Sequence, residues 1–322
     1  MTTPAVTRRR ACTGTLIALV CVRVATGQAQ QVGGSDVGIL HVQGNVSMLV
    51  VDGGNIAVQV GDDGVLLVDA RTADLAPQII AAIRRLSDQP IHTIINTHVH
   101  ADHTSGNEAL VAQRGTGATQ AVRVMAHTAV LNRLVTAAAE NRVPVTGFRL
   151  NQAITVPINN SYDTPTRDFY LNGESVVLHH EPAAHTDGDT LVHFRRSDVV
   201  AVGDLFTPDR YPIIDLDNGG SVQGLIDALN HVLDLTVPAR FQEGGTYVIP
   251  GHGRLSDEAD VVEYRDMVTI VRDRVQDLIG QGLTLEQVQA ARPSRDYDPA
   301  YTESDASTAA RFVGSIYRSL TK

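Results

Sequence analysis

The chain has 322 residues, 43% of them hydrophobic, and a formal net charge of −10 that comes from 26 basic and 36 acidic residues. This length allows one large α/β domain, or two small ones, with a sizeable core. Nucleic-acid binding is disfavoured, because the chain is acidic and lacks the cluster of Lys and Arg that phosphates require. We expect a small-molecule substrate, and the oligomeric state is left open.

The first 29 residues have the pattern of a secretory signal peptide. Three arginines at 8–10 precede an apolar run over 11–22, and Gly27 and Ala29 have the small-x-small spacing that a signal peptidase recognises. The run is too short to span a bilayer, and no other stretch predicts a span. We expect a leader over 1–29 and a periplasmic or secreted mature protein without a membrane span. A disordered cytosolic tail is the alternative.

Both cysteines of the sequence, Cys12 and Cys21, lie within this leader. The mature chain would therefore have no disulfide, and its fold would depend on its core alone. For the same reason, no thiolate is expected among its metal ligands.

From residue 37 onward, apolar runs alternate with turn residues. In the first half, strands are predicted over 46–51, 56–60, 65–68, 91–97 and 122–127. Helices are predicted over 75–86, 107–113 and 128–140. The turn Gly53-Gly54-Asn55 is interpreted as a plain strand connection or as a mobile hairpin over a binding site.

The second half repeats this order of strands followed by βα units. Strands are predicted over 168–171, 174–181, 190–194, 199–202 and 247–250. Asn172-Gly173 predicts a tight hairpin between the first two of these strands. Helices are predicted over 222–235 and near 309–320. Together the halves predict an α/β fold with two sheets packed face to face and helices outside, in a single domain over 30–322 with C-terminal helices.

Capping residues predict where two further helices begin. Ser256 is expected to cap a long helix that runs to Ile279, with acidic residues in its first turn. Thr284 and Gln287 have the spacing of a capping box, which predicts the start of another helix.

Four potential metal ligands follow the strand over 91–97 within six positions: His98, His100, Asp102 and His103. In an extended chain the first two project to the same side, and a turn at Ala101 would aim the other two at a second point nearby. Imidazole and carboxylate together suit zinc or another borderline divalent ion. A lone His is more often structural, but four such groups would be costly to bury without a metal or a charged partner. We therefore predict a metal site.

Three more residues of ligand type each stand where an apolar strand meets a Gly-containing loop: His185, Asp204 and His252. Loop positions on a rigid scaffold are where binding sites are built. We expect these residues to complete the site that begins at residue 98.

With these residues the chain resembles the metallo-β-lactamase superfamily, from about Val37 to the long helix after His252. The H-x-H-x-D-H motif of that family is complete over 98–103, and His185, Asp204 and His252 match its later ligands in order and context. The resemblance implies an αββα four-layer sandwich with the site at one edge of the two sheets.

The resemblance also implies two zinc ions, although other divalent metals are possible. His98, His100 and His185 would bind the first metal. Asp102, His103 and His252 would bind the second metal, and Asp204 would bridge the two.

Hydrolysis is the reaction that the resemblance implies. A hydroxide shared by two zinc ions is a nucleophile at neutral pH, because coordination lowers the pKa of water to about 7. Asp102 would orient this hydroxide and take up its proton. Asp69, at the end of its strand, matches a family carboxylate near the site and would support the ligand loop. The alternative role for Asp69 is that of a turn cap.

The fold alone does not name the substrate. Zinc β-lactamases with a Cys ligand are excluded, since the mature chain has none, and an Asp at position 204 resembles the bridging residue of glyoxalase II and of lactonases. Export favours a hydrolase of small amides, esters or lactones, β-lactams included. In the loop after Asp204, Arg210 and Tyr211 could hold a substrate carboxylate, while the alternative for Arg210 is a solvated surface charge.

Three rival functions stay open. The first is a glyoxalase II-like thioesterase, and the second is a persulfide dioxygenase of the same fold with a single iron. The third is a binding protein without turnover. The other histidines are expected to be structural or exposed, except that His127, at a strand end, could lie near the site.

Overall fold

The computed structural model describes residues 1–2, 37–113, 121–140, 158–302 and 307–322. Apart from Met1 and Thr2, the predicted leader falls outside the described residues. The leader and the domain boundary at residue 30 therefore stay predictions. Among the described residues, none of the helices combines the length and apolar character needed to cross a membrane.

A first sheet is built from the N-terminal half of the chain. Its seven strands lie in chain order: β1 (Gly38–Gln43), β2 (Val46–Val51), β3 (Gly54–Gly61), β4 (Gly64–Val68), β5 (Ile91–Ile95), β6 (Arg123–His127) and β7 (Asn160–Tyr162). Neighbours from β1 to β4 are antiparallel, and those from β4 to β7 are parallel. The parallel part is the βα region that the sequence predicts.

A second sheet is built from the C-terminal half. Its strands are β8 (Thr166–Leu171), β9 (Glu174–Glu181), β10 (Asp189–Phe194), β11 (Val199–Gly203) and β12 (Tyr247–Pro250), in the order β12-β11-β10-β9-β8. Only β11 and β12 are parallel neighbours in this sheet. At the predicted hairpin, Asn172 and Gly173 have φ values of +51° and +84°, as a tight two-residue turn requires.

Helices flank both sheets. They are α1 (Ala76–Leu86), α2 (Ala101–Thr104), α3 (Asn107–Ala112), α4 (Thr128–Ala139), α5 (Val222–Leu235), α6 (Glu258–Gly280), α7 (Leu285–Ala291), α8 (Asp298–Tyr301) and α9 (Ser307–Leu320). A 3-10 turn over Ala73–Leu75 precedes α1. The capping box of Thr284 and Gln287 is confirmed at the start of α7.

The prediction that Ser256 caps the long helix was wrong. Asp257 is the cap of α6, and its side chain accepts hydrogen bonds from the backbone N–H groups of Ala259 and Asp260. Ser256 instead exchanges both backbone hydrogen bonds with Val248 of β12, at 2.8 and 3.0 Å. This pairing holds Ser256 in extended chain, so the helix can begin only after it.

Three buried clusters of apolar side chains separate the layers. Between the sheets, Leu66 and Ile95 of the first sheet pack with Val192 and Phe194 of the second. The other face of the first sheet packs against α1 and α4, and that of the second sheet against α5, α6 and α9. Strands covered on both faces are apolar along their whole length, as β4 is. The predicted αββα fold is confirmed.

Candidate metal centre

The predicted ligands lie on loops that leave the strands at one edge of the sandwich. Residues 98–103 follow β5 and continue into α2, while His185, Asp204 and His252 follow β9, β11 and β12. These last three strands run in the same direction, so their carboxyl ends meet at one edge. A hydrogen bond of 2.8 Å from the N–H of Thr190 to the carbonyl oxygen of Thr97 joins the two sheets there.

The seven predicted ligands form two groups. Within each group, the ligand atoms all lie within 4.8 Å of one another; the first group is His98, His100, His185 and Asp204, and the second is Asp102, His103 and His252. Asp204 also reaches the second group, because its carboxylate oxygens lie 3.4 Å from His103 Nε2 and 3.8 Å from His252 Nε2. The structure thus brings all seven side chains together, with Asp204 between the groups.

The three histidines of the first group form a symmetrical arrangement. Each pair of rings has a centroid distance of 4.7 Å and an interplanar angle of 82° or 85°. His100 Nδ1 and His185 Nε2 are 3.0 Å apart. The rings therefore direct one nitrogen each to a common point, as facial ligands of a single ion do.

Every ligand histidine has its other ring nitrogen bonded to a fixed neighbour. These bonds are His98 Nδ1 to Thr97 Oγ1 at 3.0 Å, His100 Nε2 to Asp215 Oδ2 at 2.7 Å, His185 Nδ1 to the Ile213 carbonyl at 2.7 Å, His103 Nδ1 to Asp69 Oδ2 at 2.8 Å and His252 Nδ1 to the Gly53 carbonyl at 2.9 Å. Such outer bonds orient metal-binding histidines and fix which nitrogen is free to coordinate.

Asp69 links the two groups. Its carboxylate accepts hydrogen bonds from the backbone N–H and the hydroxyl of Thr97, at 2.8 and 2.9 Å, in addition to the bond from His103. Since the Thr97 hydroxyl donates to Asp69, it accepts from His98. The buried Asp69 thus lies where a residue that supports the ligand loop is expected. It contacts His103 of the second group directly and His98 of the first group through the Thr97 hydroxyl.

Three buried atoms at the centre lack a hydrogen-bond partner: His98 Nε2, His103 Nε2 and Asp204 Oδ1. Buried polar atoms in proteins are nearly always satisfied, and two imidazole nitrogens with a carboxylate oxygen are the donor set that a zinc-type ion takes. Gly251 leaves room here, since a Cβ at that position would lie 2.1 Å from Asp204 Oδ1. The residues present therefore fit bound metal.

Burial and mutual repulsion favour the uncharged form of two histidines in the first group, His98 and His185. Complete burial, with further lowering by neighbouring histidines, holds the pKa of His98 well below its usual value and also lowers that of His185. A neutral imidazole has the lone pair that a metal needs. Burial alone would raise the pKa of Asp204, but the charges of His103 and His252 outweigh it and lower that pKa, so the carboxylate is ionised.

A cavity of about 320 Å³ opens onto the ligands. It is lined by Asp52, Gly53, Arg71, His100, Asp102, Asp204, Thr207, Arg210, Tyr211, Ile213 and His252. Both predicted substrate-binding residues are among these. The hydroxyl of Tyr211 lies within hydrogen-bond distance of two acceptors, the Ser294 carbonyl at 3.1 Å and Asp298 at 3.0 Å, so its one hydrogen is used within the protein.

Two residues of the site were missed at the level of sequence. Arg71, which is 4% exposed, forms an ion pair with Asp102 at 3.3 Å. Asp215 holds His100 and also accepts from Asn218 at 2.7 Å. The only signal for either was a charged residue beside an apolar run. His127 caps α4 through its Nδ1 and stacks on His180, with ring centroids 3.5 Å apart, so it contributes to neither ligand group.

A sequence model of the metallo-beta-lactamase superfamily matches residues 49–252, well over half of the chain. A linear primary-alkylsulfatase from Pseudomonas sp. is 33% identical over 75 residues, which are 23% of this chain and 14% of that protein.

Solved structures of this fold cover most of the chain. The stereoselective inverting sec-alkylsulfatase Pisa1 from Pseudomonas sp. aligns with a TM-score of 0.65 and 16% identity, over 88% of this chain and 50% of that one. A metallo-beta-lactamase from Pontibacter korlensis aligns with a TM-score of 0.55 and 14% identity, over 73% of this chain and 99% of that one. The chain thus spans half of the alkylsulfatase structure, and at these identities the likeness shows the fold alone.

Proposed function

The chain belongs to the metallo-beta-lactamase superfamily, and from this premise we propose that it is a hydrolase with two bound metal ions, zinc before other divalent metals. His98, His100 and His185 would hold one ion, Asp102, His103 and His252 the other, and Asp204 would bridge them. The proposed substrates are small amides, esters or lactones, with β-lactams among them.

One observation is the main support for this proposal. Three buried ligand atoms without a hydrogen-bond partner converge from different strand ends, while the outer nitrogen of every ligand histidine is held by a neighbour. Buried polar atoms are usually hydrogen-bonded, and these three lie together with a carboxylate oxygen among them. Their arrangement supports a site prepared for cations.

Bound metals would supply a nucleophile from water at neutral pH and polarise the bond to be cleaved. The chain itself contributes two carboxylates that line the cavity, Asp102 and Asp204. Asp102 would orient the attacking water and accept its proton, because it lines the cavity beside the second ligand group. Arg210, Tyr211 and Ile213 line the same cavity and would position the substrate.

A second candidate substrate is a sulfate ester. It is favoured by the 33% identity to a primary-alkylsulfatase over 75 residues and by the presence of Arg210 on the cavity wall. A sulfate ester keeps a negative charge, and guanidinium is a suitable partner for such oxyanions.

The decisive experiment measures metal content and turnover together. We would load the purified protein with zinc, count metals by mass spectrometry, and test a β-lactam, a lactone, a thioester and an alkyl sulfate. We expect two metals per chain, and we expect turnover to be lost in Asp102→Ala.

Thioester turnover alone would favour the glyoxalase II-like alternative. One iron with oxygen consumption would favour the persulfide dioxygenase and contradict the proposal, and so would loaded protein that cleaves none of the four.

We also propose that the protein acts outside the cytoplasm, in the periplasm or after secretion. The pattern of residues 1–29 supports this location. Sequencing the N-terminus of the protein recovered from its native host tests it: a start near residue 30 is expected, and an intact Met1 in a cytosolic fraction would contradict it.

A further inference from the structure

The tip of the β2–β3 hairpin, which we define as Asp52 and Gly53, is attached to the second ligand group. The Gly53 carbonyl accepts from His252 Nδ1 at 2.9 Å, and the Asp52 carbonyl accepts from Arg71 Nη2 at 3.1 Å. Just beyond the tip, Asn55 bonds to the carbonyls of Pro250, at 2.9 Å, and of Gly251, at 2.8 Å. These bonds make the tip part of the ligand scaffold and argue against a mobile hairpin.

Arg71 completes the attachment from the other side. Its Nη1 donates to Asp102 Oδ2 at 3.3 Å and to the Asp102 carbonyl at 3.4 Å, so one guanidinium spans Asp102 and the hairpin tip. The group fits because Gly54 has no side chain: a Cβ there would lie 2.1 Å from Arg71 Nη1. Asp102 therefore faces a guanidinium donor that has no acceptor atoms of its own.

The backbone of Arg71 is also fixed. Its φ of +53° lies in the left-handed region that residues other than glycine seldom adopt, and its carbonyl accepts from the N–H of Gly106 at 2.8 Å. A Cβ on Gly106 would lie 2.1 Å from the Ala70 carbonyl. Close packing against Gly106 therefore holds Arg71 in a conformation that aims its side chain at Asp102.

Within the part of the chain that the structure describes, no hydrogen bond joins the histidines of the first ligand group to the hairpin tip. These histidines are held by Thr97, Asp215 and the Ile213 carbonyl. In the second group, His252 bonds to the tip directly and Asp102 through Arg71. A change in Arg71 should therefore act on one group and leave the other intact.

We propose that Arg71 is a positioning residue that fixes Asp102 against the hairpin tip and thereby sets the affinity of the second ligand group for its metal, separately from the first. This inference rests on the proposed function, since it requires that both groups bind metal. It assigns Arg71 no contact with the reacting atoms.

The test is a zinc titration of metal-free protein against a chromophoric chelator, with Arg71→Gln as the main variant. We expect wild type to bind two zinc ions. We expect Arg71→Gln to keep the affinity of one and to weaken the other by about 10- to 100-fold, the usual cost of losing an outer partner of a metal ligand. Arg71→Lys should weaken it less, because an ammonium group can reach Asp102 or the tip but lacks the planar fork that spans both.

Arg265→Gln is the matched control. It removes the same charge from an arginine that is ion-paired with Asp266 at 2.7 Å, with 27% of its side chain exposed. Arg265 is not among the residues that line the cavity. Both zinc affinities should stay at the wild-type level in this variant.

Two results would overturn the inference. In the first, the zinc affinity of the weaker site in Arg71→Gln stays within twofold of wild type. In the second, both sites lose zinc affinity equally, which would indicate a general loss of structure in the variant. Circular dichroism checks that the variant is folded. If it is not, Arg71→Lys decides by the same two criteria. Wild-type protein that binds no zinc would refute the proposed function itself, whereas two zinc ions with an unchanged Arg71→Gln would refute only the role of Arg71.

Discussion

Two histidine-rich regions of this molecule have similar ring packing but different surroundings. One is the candidate metal centre, which consists of the two ligand groups. The other, which we call the β9–α5 cluster, consists of His179, His193 and His231. The rings of His179 and His231 are 4.9 Å apart and nearly perpendicular, close to the 4.7 Å spacing in the centre. Proximity of imidazole rings therefore does not distinguish the two regions.

The two regions differ in the position of their carboxylates and in whether the ligand atoms point to one place. In the metal centre, Asp102 and Asp204 lie within 4.8 Å of the histidine nitrogens. In the β9–α5 cluster, the nearby Glu181 is paired with His231 Nδ1 at 2.6 Å, and His179 and His193 are farther apart, at 6.4 Å. Buried nitrogens of His179 and His193 also lack partners, so an unpartnered nitrogen alone does not indicate a metal ligand. What indicates a metal site is that histidine nitrogens and carboxylate oxygens of opposite charge preference lie together around one point.

The largest effect is expected when one carboxylate of each region is replaced and the bound metals are counted. Asp204→Ala should lose at least one metal and more than about 100-fold of the activity, since even outer partners cost 10- to 100-fold. Glu181→Gln, the control in the β9–α5 cluster, should keep both metals. Metal counting by mass spectrometry and steady-state kinetics measure this. Two metals with full activity in Asp204→Ala would break the comparison.

A smaller effect is expected at the outer partner of His100. Asp215→Ala removes the acceptor that orients this ring at 2.7 Å, so zinc affinity at the first ligand group should fall by about 10- to 100-fold. The other zinc should bind as in wild type. Chelator competition distinguishes the two sites, and unchanged affinity at both would show that His100 is held by packing alone.

Metal removal should lower stability by a moderate amount. A ligand present at 100 times its dissociation constant stabilises the folded state by about 2.7 kcal/mol per site. Urea unfolding with zinc and with a chelator should show this difference in the free energy of unfolding. It should be the same size in a His179→Gln, His193→Gln double variant; a smaller difference there would mean that the β9–α5 cluster binds metal too.

The smallest expected effect concerns pH and belongs to the β9–α5 cluster. Burial, with neighbouring histidines and Arg195, lowers the pKa of His179 to about 4, against about 6.5 in an unfolded chain. Between these values the unfolded state binds the extra proton, so the free energy of unfolding should decrease as pH falls from 6.5 towards 4. Below 4 this contribution no longer changes.

Urea unfolding at a series of pH values measures this dependence. In His179→Gln the pH dependence of the free energy of unfolding should be shallower than in wild type. An equal slope in wild type and His179→Gln would show that His179 is protonated alike in both states.

Much of the fold and the metal centre could be predicted without the structure. The ligand types at 98–103 stand directly after an apolar strand, and His185, Asp204 and His252 recur at later strand ends. These are local patterns, which the sequence displays in full. The Asn172-Gly173 hairpin and the Thr284 capping box are local in the same sense, because a few neighbouring residues decide them.

The misses share one cause. Ser256 has the side chain of a helix cap, but its backbone pairs with Val248, and no local pattern shows that bond. Arg71 meets Asp102 across 31 residues, and Asp215 meets His100 across 115. Each of these contacts depends on how loops from different strands pack together.

The sequence alone determined the residue types, their order and the strand ends that carry them, because those follow from side-chain chemistry and from periodicity along the chain. Only the tertiary structure decided which nitrogen of each histidine is free, which neighbours hold the rings, and that a buried arginine connects Asp102 to the hairpin tip. Those features depend on distances between residues that are far apart along the chain, and packing of the two sheets sets those distances.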